Sequence, residues 1–527
     1  MLPTYDSEEV EEYMAERTGS AGIHIHELDS DSLLQIFSHY RLKYEGNWKR
    51  RHTWRSLAHV CQRWRYLMFD MWSHLDMSLV LTINSPSINT LLHLPPIPLF
   101  IYSPDHGKGA MSVMSRKDEE NIRFGLQRVD RVVQVYLRAR PSSLRRCLGQ
   151  MNQLFPRLGD LSLLSTSTEE NLVLPETFQA PDLRRLALHG IGLSTRSTLK
   201  LSAISLSTLS LTHIGASSHL SPGHLVKQLQ GLPYLEKLSI GFAIPIPLPS
   251  TEGKLLPAPM PPVTLPFLRR LTFRGVGVYL DNLVAQITAP LLERLDLTLL
   301  FELDFTLVNL TEFIRRTEGY ASGCPDFRVK FKKDGVYVDA GHKKSSYHEP
   351  WRIKTLSVRV NCEPLDWQMD TALQVCRALG EVVSTVEVLS LDLDVDAMPL
   401  DWENMLEDMQ DDMLWHYLLL SFTGVKRLYI GSSLTFELSR TLESVIRDPV
   451  VDLLPELREL EVTVRVDQAT NIYPMFLSAR ELLGRPVHLL VDEVTRKGDA
   501  IRKTKAAVAA LAPPRSLPVQ RPTEARA

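Results

Sequence analysis

The sequence has few cysteines, and their spacing argues against two common uses of that residue. Only five of the 527 residues are cysteine, at positions 61, 147, 324, 362 and 376, and no two of them form a C-x-x-C pair. We therefore expect neither a cysteine zinc site nor a thioredoxin-like redox site. So few cysteines in so long a chain also argue against a disulfide framework, which predicts a reducing compartment.

Long apolar runs and a surplus of charge are missing as well. No stretch of 18 apolar residues occurs, so no transmembrane helix is predicted. The acidic N-terminus lacks the basic and then apolar pattern of a signal peptide. Lysine and arginine number 59 against 62 aspartates and glutamates, which gives no electrostatic reason to expect nucleic acid as a partner. We expect a protein of the cytoplasm and/or nucleus that uses neither nucleic acid nor membrane as its partner.

Motifs of catalysis and of metal binding are not found. The sequence contains no G-x-S-x-G elbow, no phosphate-binding P-loop and no complete dinucleotide fingerprint. Asp392, Asp394 and Asp396 alternate, either as carboxylate metal ligands or as the outward side chains of a strand, and we interpret them as a strand. His24 and His26 are interpreted as an extended segment rather than a metal pair. The prediction is a protein that is not an enzyme and has no catalytic residue, metal or cofactor.

What the chain does contain is a repeat. The pattern L-x-x-L-x-L, with other apolar residues allowed, begins at Val132, Leu158, Leu183, Leu206, Leu235, Leu268, Leu292, Ile353, Val386, Val425 and Leu457. The first seven copies begin 23 to 33 residues apart, close to the period of roughly 20–29 residues of leucine-rich repeats. Each copy is one strand whose apolar positions are covered only when neighbours stack on it. This predicts an α/β fold with an irregular leucine-rich-repeat solenoid.

Two further features belong to the repeat. In six copies a proline precedes the motif, as in Leu232-Pro233 and Leu265-Pro266, and proline holds the chain extended as it enters the strand. A gap of 61 residues separates Leu292 from Ile353. The polar stretch within it, residues 319–348, is interpreted as a surface insertion with hairpin character.

Composition divides the chain into five predicted regions. Residues 1–21 are acidic and predicted to be disordered, and residues 22–73 are predicted to be helical. Residues 74–122 are predicted to form a strand-rich cap followed by a polar linker, and residues 123–496 the repeat array. Residues 497–527, rich in Lys, Arg, Pro and Ala, are predicted to be a disordered tail.

Two amphipathic helices are predicted in the helical region. The apolar positions of the first are Leu33, Leu34, Ile36, Phe37 and Tyr40. Those of the second are Trp54, Leu57, Val60, Cys61, Trp64, Leu67, Met68 and Met71. Asp29 or Ser30 can cap the first helix. A segment this short makes a weak core alone, and surplus apolar surface is typical of a partner site.

These residues resemble an F-box. Ile25 and Leu28 match the start of the family pattern, Ile36-Phe37 its first helix, and Leu57, Val60-Cys61 and Trp64-Arg65 its second. Asp29 and Asp31 stand where the family has proline and glutamate. The long connection between the helices and the proline-rich strand downstream resemble the large F-box families of mushroom-forming fungi.

The resemblance implies the substrate-recognition subunit of a ubiquitin ligase. F-box proteins dock on a Skp-type adaptor, and through it on a cullin, while their C-terminal domain captures a protein substrate. The adaptor-binding residues that the resemblance implies are Ile25, Leu28, Leu33, Leu34, Ile36, Phe37, Leu57, Val60, Cys61 and Trp64. Phe37 and Trp64 are equally well explained as core residues. The alternative function is a leucine-rich scaffold with a degenerate box and no ligase role.

Basic residues fall at intervening positions of the early copies. They are Arg184, Arg185, Arg269, Arg270 and Arg274. Later copies carry acidic residues, including Asp392 and Glu459. One hypothesis is a polarised face whose arginines hold an acidic or phosphorylated substrate bidentately. The other is that these are ordinary solvated strand residues.

Overall fold

The structure is a computed structural model that describes part of the chain. It describes residues 27–42, 54–72, 79–82, 97–103, 114–167, 172–193, 204–243, 262–300, 307–317, 320, 324–341, 355–362, 365–394, 412–444, 453–465, 473–494 and 500–505. None of the helices within these ranges combines the length and the apolar character needed to cross a membrane.

The described chain contains both helices and strands. The helices are α1 (Ser30–Leu42), α2 (Trp54–Ala58), α3 (Gln62–Asp70), α4 (Arg116–Leu126), α5 (Pro141–Leu148), α6 (Pro222–Leu229), α7 (Gly277–Val284), α8 (Val308–Arg316), α9 (Leu365–Ala378), α10 (Gly380–Ser384), α11 (Asp412–Leu420), α12 (Thr435–Ser444) and α13 (Pro474–Leu482). The strands up to the long gap are β1 (Leu79–Thr82), β2 (Leu99–Tyr102), β3 (Val132–Ala139), β4 (Asp160–Ser165), β5 (Leu172–Leu174), β6 (Arg185–His189), β7 (Ile191–Leu193), β8 (Thr208–Ile214), β9 (Lys237–Phe242), β10 (Val263–Thr264), β11 (Arg270–Gly275), β12 (Ile287–Thr288) and β13 (Arg294–Leu300). The later strands are β14 (Asp326–Lys332), β15 (Gly335–Gly341), β16 (Thr355–Asn361), β17 (Val388–Leu393), β18 (Arg427–Ile430), β19 (Glu459–Arg465), β20 (His488–Val494) and β21 (Ala500–Lys505).

Contacts divide the chain into two compact units. The first comprises Met1–Leu188 with Lys200–Ala203, and the second comprises His189–Leu199 with Ile204–Ala527. The division falls inside the region predicted as one array of repeats.

The first unit holds helices α1 to α3 and a parallel sheet. Strands β1, β2, β3 and β4 pair in parallel in that order. The chain entering β6 joins β4 through the backbone N–H groups of Arg184 and Arg185, which donate to the carbonyl of Gly159 at 2.8 and 3.1 Å. Helix α4 lies against β1 and β2.

The second unit contains two runs of parallel strands. In one run β8, β9, β11, β13 and β16 are neighbours, and the register aligns the second apolar position of each copy. Those aligned residues are Leu209, Leu238, Leu271, Leu295 and Leu356. In the other run β14, β17, β18, β19 and β20 are neighbours, and β21 pairs antiparallel with β20.

The repeat pattern agrees with the burial. Every motif start that the structure describes is buried, and Ile353 lies outside the described residues. Both later apolar positions of every copy are buried too, for example Leu271 and Phe273 in β11. The mixed α/β class with mostly parallel pairing is therefore confirmed, while the leucine-rich solenoid stays a prediction.

The polar stretch in the long gap does form a hairpin, but its predicted surface position is wrong. Strand β15 pairs antiparallel with both β14 and β16, so the hairpin joins the two parallel runs and lies inside the sheet. The physical reason is alternation, because Val329 and Phe331 face the core together with Val336 and Val338.

Two helices cover this hairpin. The side chain of Gln368 in α9 donates to the backbone carbonyl of Lys332 at 2.8 Å. The Trp415 ring of α11 meets the Phe331 ring edge-on, with centroids 5.7 Å apart. The hairpin is therefore part of the core of the second unit.

Two segment predictions differ from the structure. The region predicted as a polar linker ends in helix α4, which begins at Arg116 because Ser115 and Asp118 form a reciprocal capping box. The region predicted as a disordered tail contributes β21. The predicted disordered N-terminus, residues 1–21, lies outside the described residues.

Helix α4 also carries a buried carboxylate, and its removal should cost stability in a pH-dependent way. Glu119 is buried and accepts from Nη2 of Arg146 at 2.5 Å, a bond that holds the pKa of its carboxyl below the ordinary value. At neutral pH we expect Glu119→Gln to lower the free energy of unfolding by about 1–2 kcal/mol.

The pH dependence has a definite sign. A carboxyl with a lowered pKa stabilises the fold above its unfolded pKa, and that contribution disappears as the pH falls through the folded pKa. The difference between wild type and Glu119→Gln should therefore shrink below about pH 4. Urea titrations at several pH values measure this. A difference that stays constant down to the lowest pH would contradict the assignment.

Candidate interaction surfaces

The first helix of the predicted box begins at a capping aspartate. Oδ1 of Asp29 accepts a hydrogen bond from the backbone N–H of Ser32 at 2.7 Å. Hydrogen bonds from the backbone and side chain of Ser32 lower the pKa of the Asp29 carboxyl. Asp29 is therefore the N-cap of α1, and it is one of the two caps, Asp29 or Ser30, that the sequence predicts.

Three of the predicted adaptor-binding residues are buried inside the helical segment. The rings of Phe37 and Trp64 meet edge-on with centroids 4.9 Å apart, and both are buried, as is Leu33. Arg63 ties α3 to the chain ahead of α1 by donating to the carbonyl of Leu28 at 2.6 Å. Leu33, Phe37 and Trp64 are thus core residues of the helical segment, and the contact between the two rings packs α1 against α3.

Other predicted residues of the box face solvent. Ile36 is 42% exposed and Val60 is 55% exposed, and Tyr66, which the sequence argument did not single out, is 71% exposed. The half-buried members of the predicted set are Leu28, Leu34, Leu57 and Cys61. Ile25 lies outside the described residues. Of the predicted residues that the structure describes, Ile36 and Val60 are the large apolar side chains that a partner reaches most readily.

In each copy of L-x-x-L-x-L, two residues separate the first apolar residue from the second. These two positions differ in how far their charges are paired with opposite charges. At the first of these positions, Arg269 and Glu293 form an ion pair at 2.5 Å, and Glu387 and Lys426 form another at 2.6 Å. In these two places the charges of neighbouring copies neutralise each other. Arg269, predicted to bind substrate, is engaged by Glu293.

The second of these positions carries a run of cations, which we call the cationic row. Its members Lys237, Arg270 and Arg294 are directly opposite one another in β9, β11 and β13. Threonines flank them, Thr208 on β8 and Thr355 on β16. Neighbouring parallel strands are about 4.8 Å apart, so the three cationic side chains leave the backbone at that spacing.

Carboxylates compensate only part of this charge. Arg294 donates to Asp296 of its own strand at 2.7 Å. Arg274 is exposed four residues after Arg270. Burial, and after it the charge of Arg274, lowers the pKa of His213. Within the described part of the chain, Lys237, Arg270 and Arg274 are in no ion pair. Arg270 and Arg274 are thus the predicted arginines that remain available to an anionic partner.

The remaining predicted arginines belong to the first compact unit. Arg185 is exposed and lies 3.7 Å from a carboxylate oxygen of Asp160 on the neighbouring strand. Arg184 is also exposed and precedes β6. The structure therefore assigns the five arginines to two units, with Arg269, Arg270 and Arg274 together in the second.

A cavity of about 320 Å³ opens on the outward face of the later strands. Its lining includes Arg328, Asp392, Tyr429 and Glu461, which come from β14, β17, β18 and β19. Sequence reasoning missed it because the four strands that form it are distant in the chain. No motif in the sequence marks such a site.

The alternating aspartates behave as outward strand residues. Nζ of Lys330 lies 3.3 Å from a carboxylate oxygen of Asp392 and 3.3 Å from one of Asp394. Asp396 and both His24 and His26 lie outside the described residues. Within the described ranges no three histidine, cysteine or acidic side chains group as metal ligands would.

Three buried thiols are not reactive nucleophiles. Burial raises the pKa of Cys147 to about 12 and also raises that of Cys362 and Cys376. Because the thiolate is the reactive form, these cysteines are inert at neutral pH.

Neither a protein-family model nor a curated protein matches this chain.

Proposed function

We propose that this protein is the substrate-recognition subunit of an SCF-type ubiquitin ligase. Residues 22–73 act as an F-box that binds a Skp-type adaptor and through it a cullin. The repeats form a leucine-rich solenoid that binds an acidic or phosphorylated protein substrate. The protein itself contributes no catalytic residue, metal or cofactor.

The observation that carries this proposal is the division of apolar residues in the helical segment. Phe37 and Trp64 complete an internal contact, while Ile36 and Val60 stay at the surface. Exposed apolar side chains on so small a unit are typical of a protein-interaction site. The outward face of the sheet supplies a second, separate surface for a substrate.

The adaptor surface is tested by charges placed at its exposed residues. Because a buried unpaired charge opposes association, Ile36→Asp with Val60→Asp should abolish co-purification with a Skp-type adaptor. The fold should persist, since both side chains are exposed in the free protein. Co-expression with the adaptor, followed by affinity capture and a thermal unfolding scan, measures both properties.

Two further variants make the result specific. Met475→Asp, at an exposed apolar position on α13, should leave capture unchanged. Phe37→Ala should weaken capture through lost stability, because truncating a buried phenylalanine costs about 3–5 kcal/mol. Normal capture by the double aspartate variant would show that the adaptor does not bind at this surface.

Asp29 favours one alternative, a leucine-rich scaffold with a degenerate box and no ligase role. Its side chain caps α1 at the position where the family has proline. If wild-type protein captures substrates but no adaptor, the scaffold is the correct function.

A further inference from the structure

A second row of side chains accompanies the cationic row. Tyr234, Phe267 and Leu291 are 52%, 45% and 46% exposed, and each follows the proline that precedes its motif. We call these three residues the apolar row. The rings of Tyr234 and Phe267 are stacked, with centroids 5.7 Å apart and planes 25° from parallel. Three exposed apolar residues thus belong to three consecutive copies, those whose strands are β9, β11 and β13.

The apolar row is confined to these copies. In the other proline-prefixed copies the same position holds Arg157, Asp182 and Glu456. A requirement of the repeat itself would select an apolar residue in all six. The apolar residues therefore mark a place on the array rather than a packing rule of the motif.

The two rows run side by side. In each of the three copies the cationic residue follows the apolar one by three positions, as Arg270 follows Phe267. Each apolar residue lies in the turn that precedes a strand, and each cationic residue is the first residue of that strand, β9, β11 or β13. Three residues of chain span at most about 10 Å, so the two backbone positions are no farther apart than that, and the pattern repeats on the next strand.

The net charge of this surface is positive. Residues 234–241, 267–275 and 291–298 contain five cations and three carboxylates. Glu293 and Asp296 are engaged by Arg269 and Arg294. Lys237, Arg270 and Arg274 therefore outnumber the one remaining carboxylate, that of Glu236.

We propose that the apolar and cationic rows together bind an acidic protein segment that also carries apolar side chains, lying across β9, β11 and β13. The proposal rests on the substrate role proposed above and specifies its chemistry. Stacked aromatics at a surface are efficient anchors for an apolar side chain. Lysine and arginine beside them attract carboxylates and set the direction of the segment.

The distribution of the cations points to carboxylates rather than to a single phosphate. A phosphate is held by several donors that converge on one point. Here the available cations are Lys237 on β9 and Arg270 and Arg274 on β11. Arg270 and Arg274 are four residues apart along one strand, roughly 13 Å of extended chain, so they meet different anionic groups. A segment with several Asp or Glu residues has charges distributed in that manner.

The test is a selection of random 12-residue peptides on the full-length protein. Selected peptides should be enriched in Asp and Glu together with large apolar residues. Peptides from the selection are then synthesised, and their affinities are measured for each variant. Selection of peptides without acidic residues, or failure to select any binding peptide, would overturn the proposal.

Matched variants locate the binding. Lys237→Glu with Arg270→Glu should weaken the selected peptides at least about tenfold, because attraction becomes repulsion. The matched control reverses one lysine and one arginine that are exposed on helices, Lys227→Glu with Arg377→Glu, and should bind as wild type does. Equal affinity for both double variants would show that the peptides bind elsewhere.

The apolar row has its own pair of variants. Tyr234→Ser with Phe267→Ser should also weaken binding at least about tenfold, since both anchors are lost. Val278→Ser with Val308→Ser, at exposed positions on α7 and α8, should not change it. If the serine variants of the apolar row bind normally, the apolar row has no part in recognition.

Two controls distinguish a carboxylate-rich segment from a phosphorylated one, and the peptide-binding site from the ligase role. Replacing the acidic residues of a selected peptide by phosphoserine distinguishes the two anions, and binding by the phosphorylated form alone would refute a carboxylate segment. The adaptor capture described above is measured on the same variants. Peptide binding without adaptor capture rejects the ligase role alone, whereas capture without acidic peptide binding rejects only the segment proposed here.

Discussion

Replacing Leu271 by alanine should lower the free energy of unfolding by about 2–5 kcal/mol. Leu271 is buried in the middle of the first parallel run, where its register partners are Leu238 and Leu295. The substitution leaves a cavity between two copies that both depend on this contact. Denaturant titration measures the loss. Hydrogen exchange should show that β9 and β13 lose protection together with β11, because contacts in stacked repeats are local.

The matched control is a leucine at the surface. Leu482→Ala, at a side chain that is 89% exposed, should change stability by no more than about 0.5 kcal/mol. Leu295→Ala and Leu428→Ala should resemble Leu271→Ala, since both are buried at the same motif position. If none of the three shifts the unfolding midpoint, the inward register of the repeat is incorrect.

Replacing Gly335 by alanine should destabilise the second unit by about 2–6 kcal/mol, from backbone strain and from overpacking. Gly335 begins β15 with φ at 145°, a conformation that L side chains rarely adopt. An added Cβ would collide with the backbone carbonyl of Val360 on β16. Because the obstacle is backbone, no side-chain rotation relieves it, and the pairing that joins the two parallel runs must shift.

Gly380→Ala provides the opposite result as a control. Gly380 begins α10, and a Cβ added there meets no atom within 4 Å. The substitution should stabilise the protein by about 0.4–1 kcal/mol, because alanine restricts the unfolded chain at a compatible position. Equal effects of the two glycine substitutions, measured by denaturant unfolding, would contradict the strained geometry at Gly335.

Sequence reasoning was most successful where a period repeats. The L-x-x-L-x-L pattern identified buried positions such as Leu186 and Leu428, because inward positions of a strand recur every second residue. It also offered Asp29 and Ser30 as caps of α1, since capping depends on residues close in sequence, and in the structure Asp29 is the cap. Buried positions of a strand and helix caps can therefore be predicted from residues that are close in sequence.

The order of the strands around the long gap could not be predicted from the sequence. After β13 the chain enters β14 and returns through β15 to β16, which then pairs with β13. The alternation in β14 and β15 marks strands with one buried face but does not say which strands they join. The predicted surface insertion failed for that reason.

The sequence by itself determined which residues turn inward, because apolar periodicity follows from the geometry of one strand or one helix. It also determined the positions of arginines relative to the motif. Only the tertiary structure decided which of those arginines remain available. Glu293 neutralises Arg269, while Lys237 and Arg294 flank Arg270, and these neighbours are 24 or more residues away in the chain. Charge pairing across strands depends on register, and register is a property of the folded sheet.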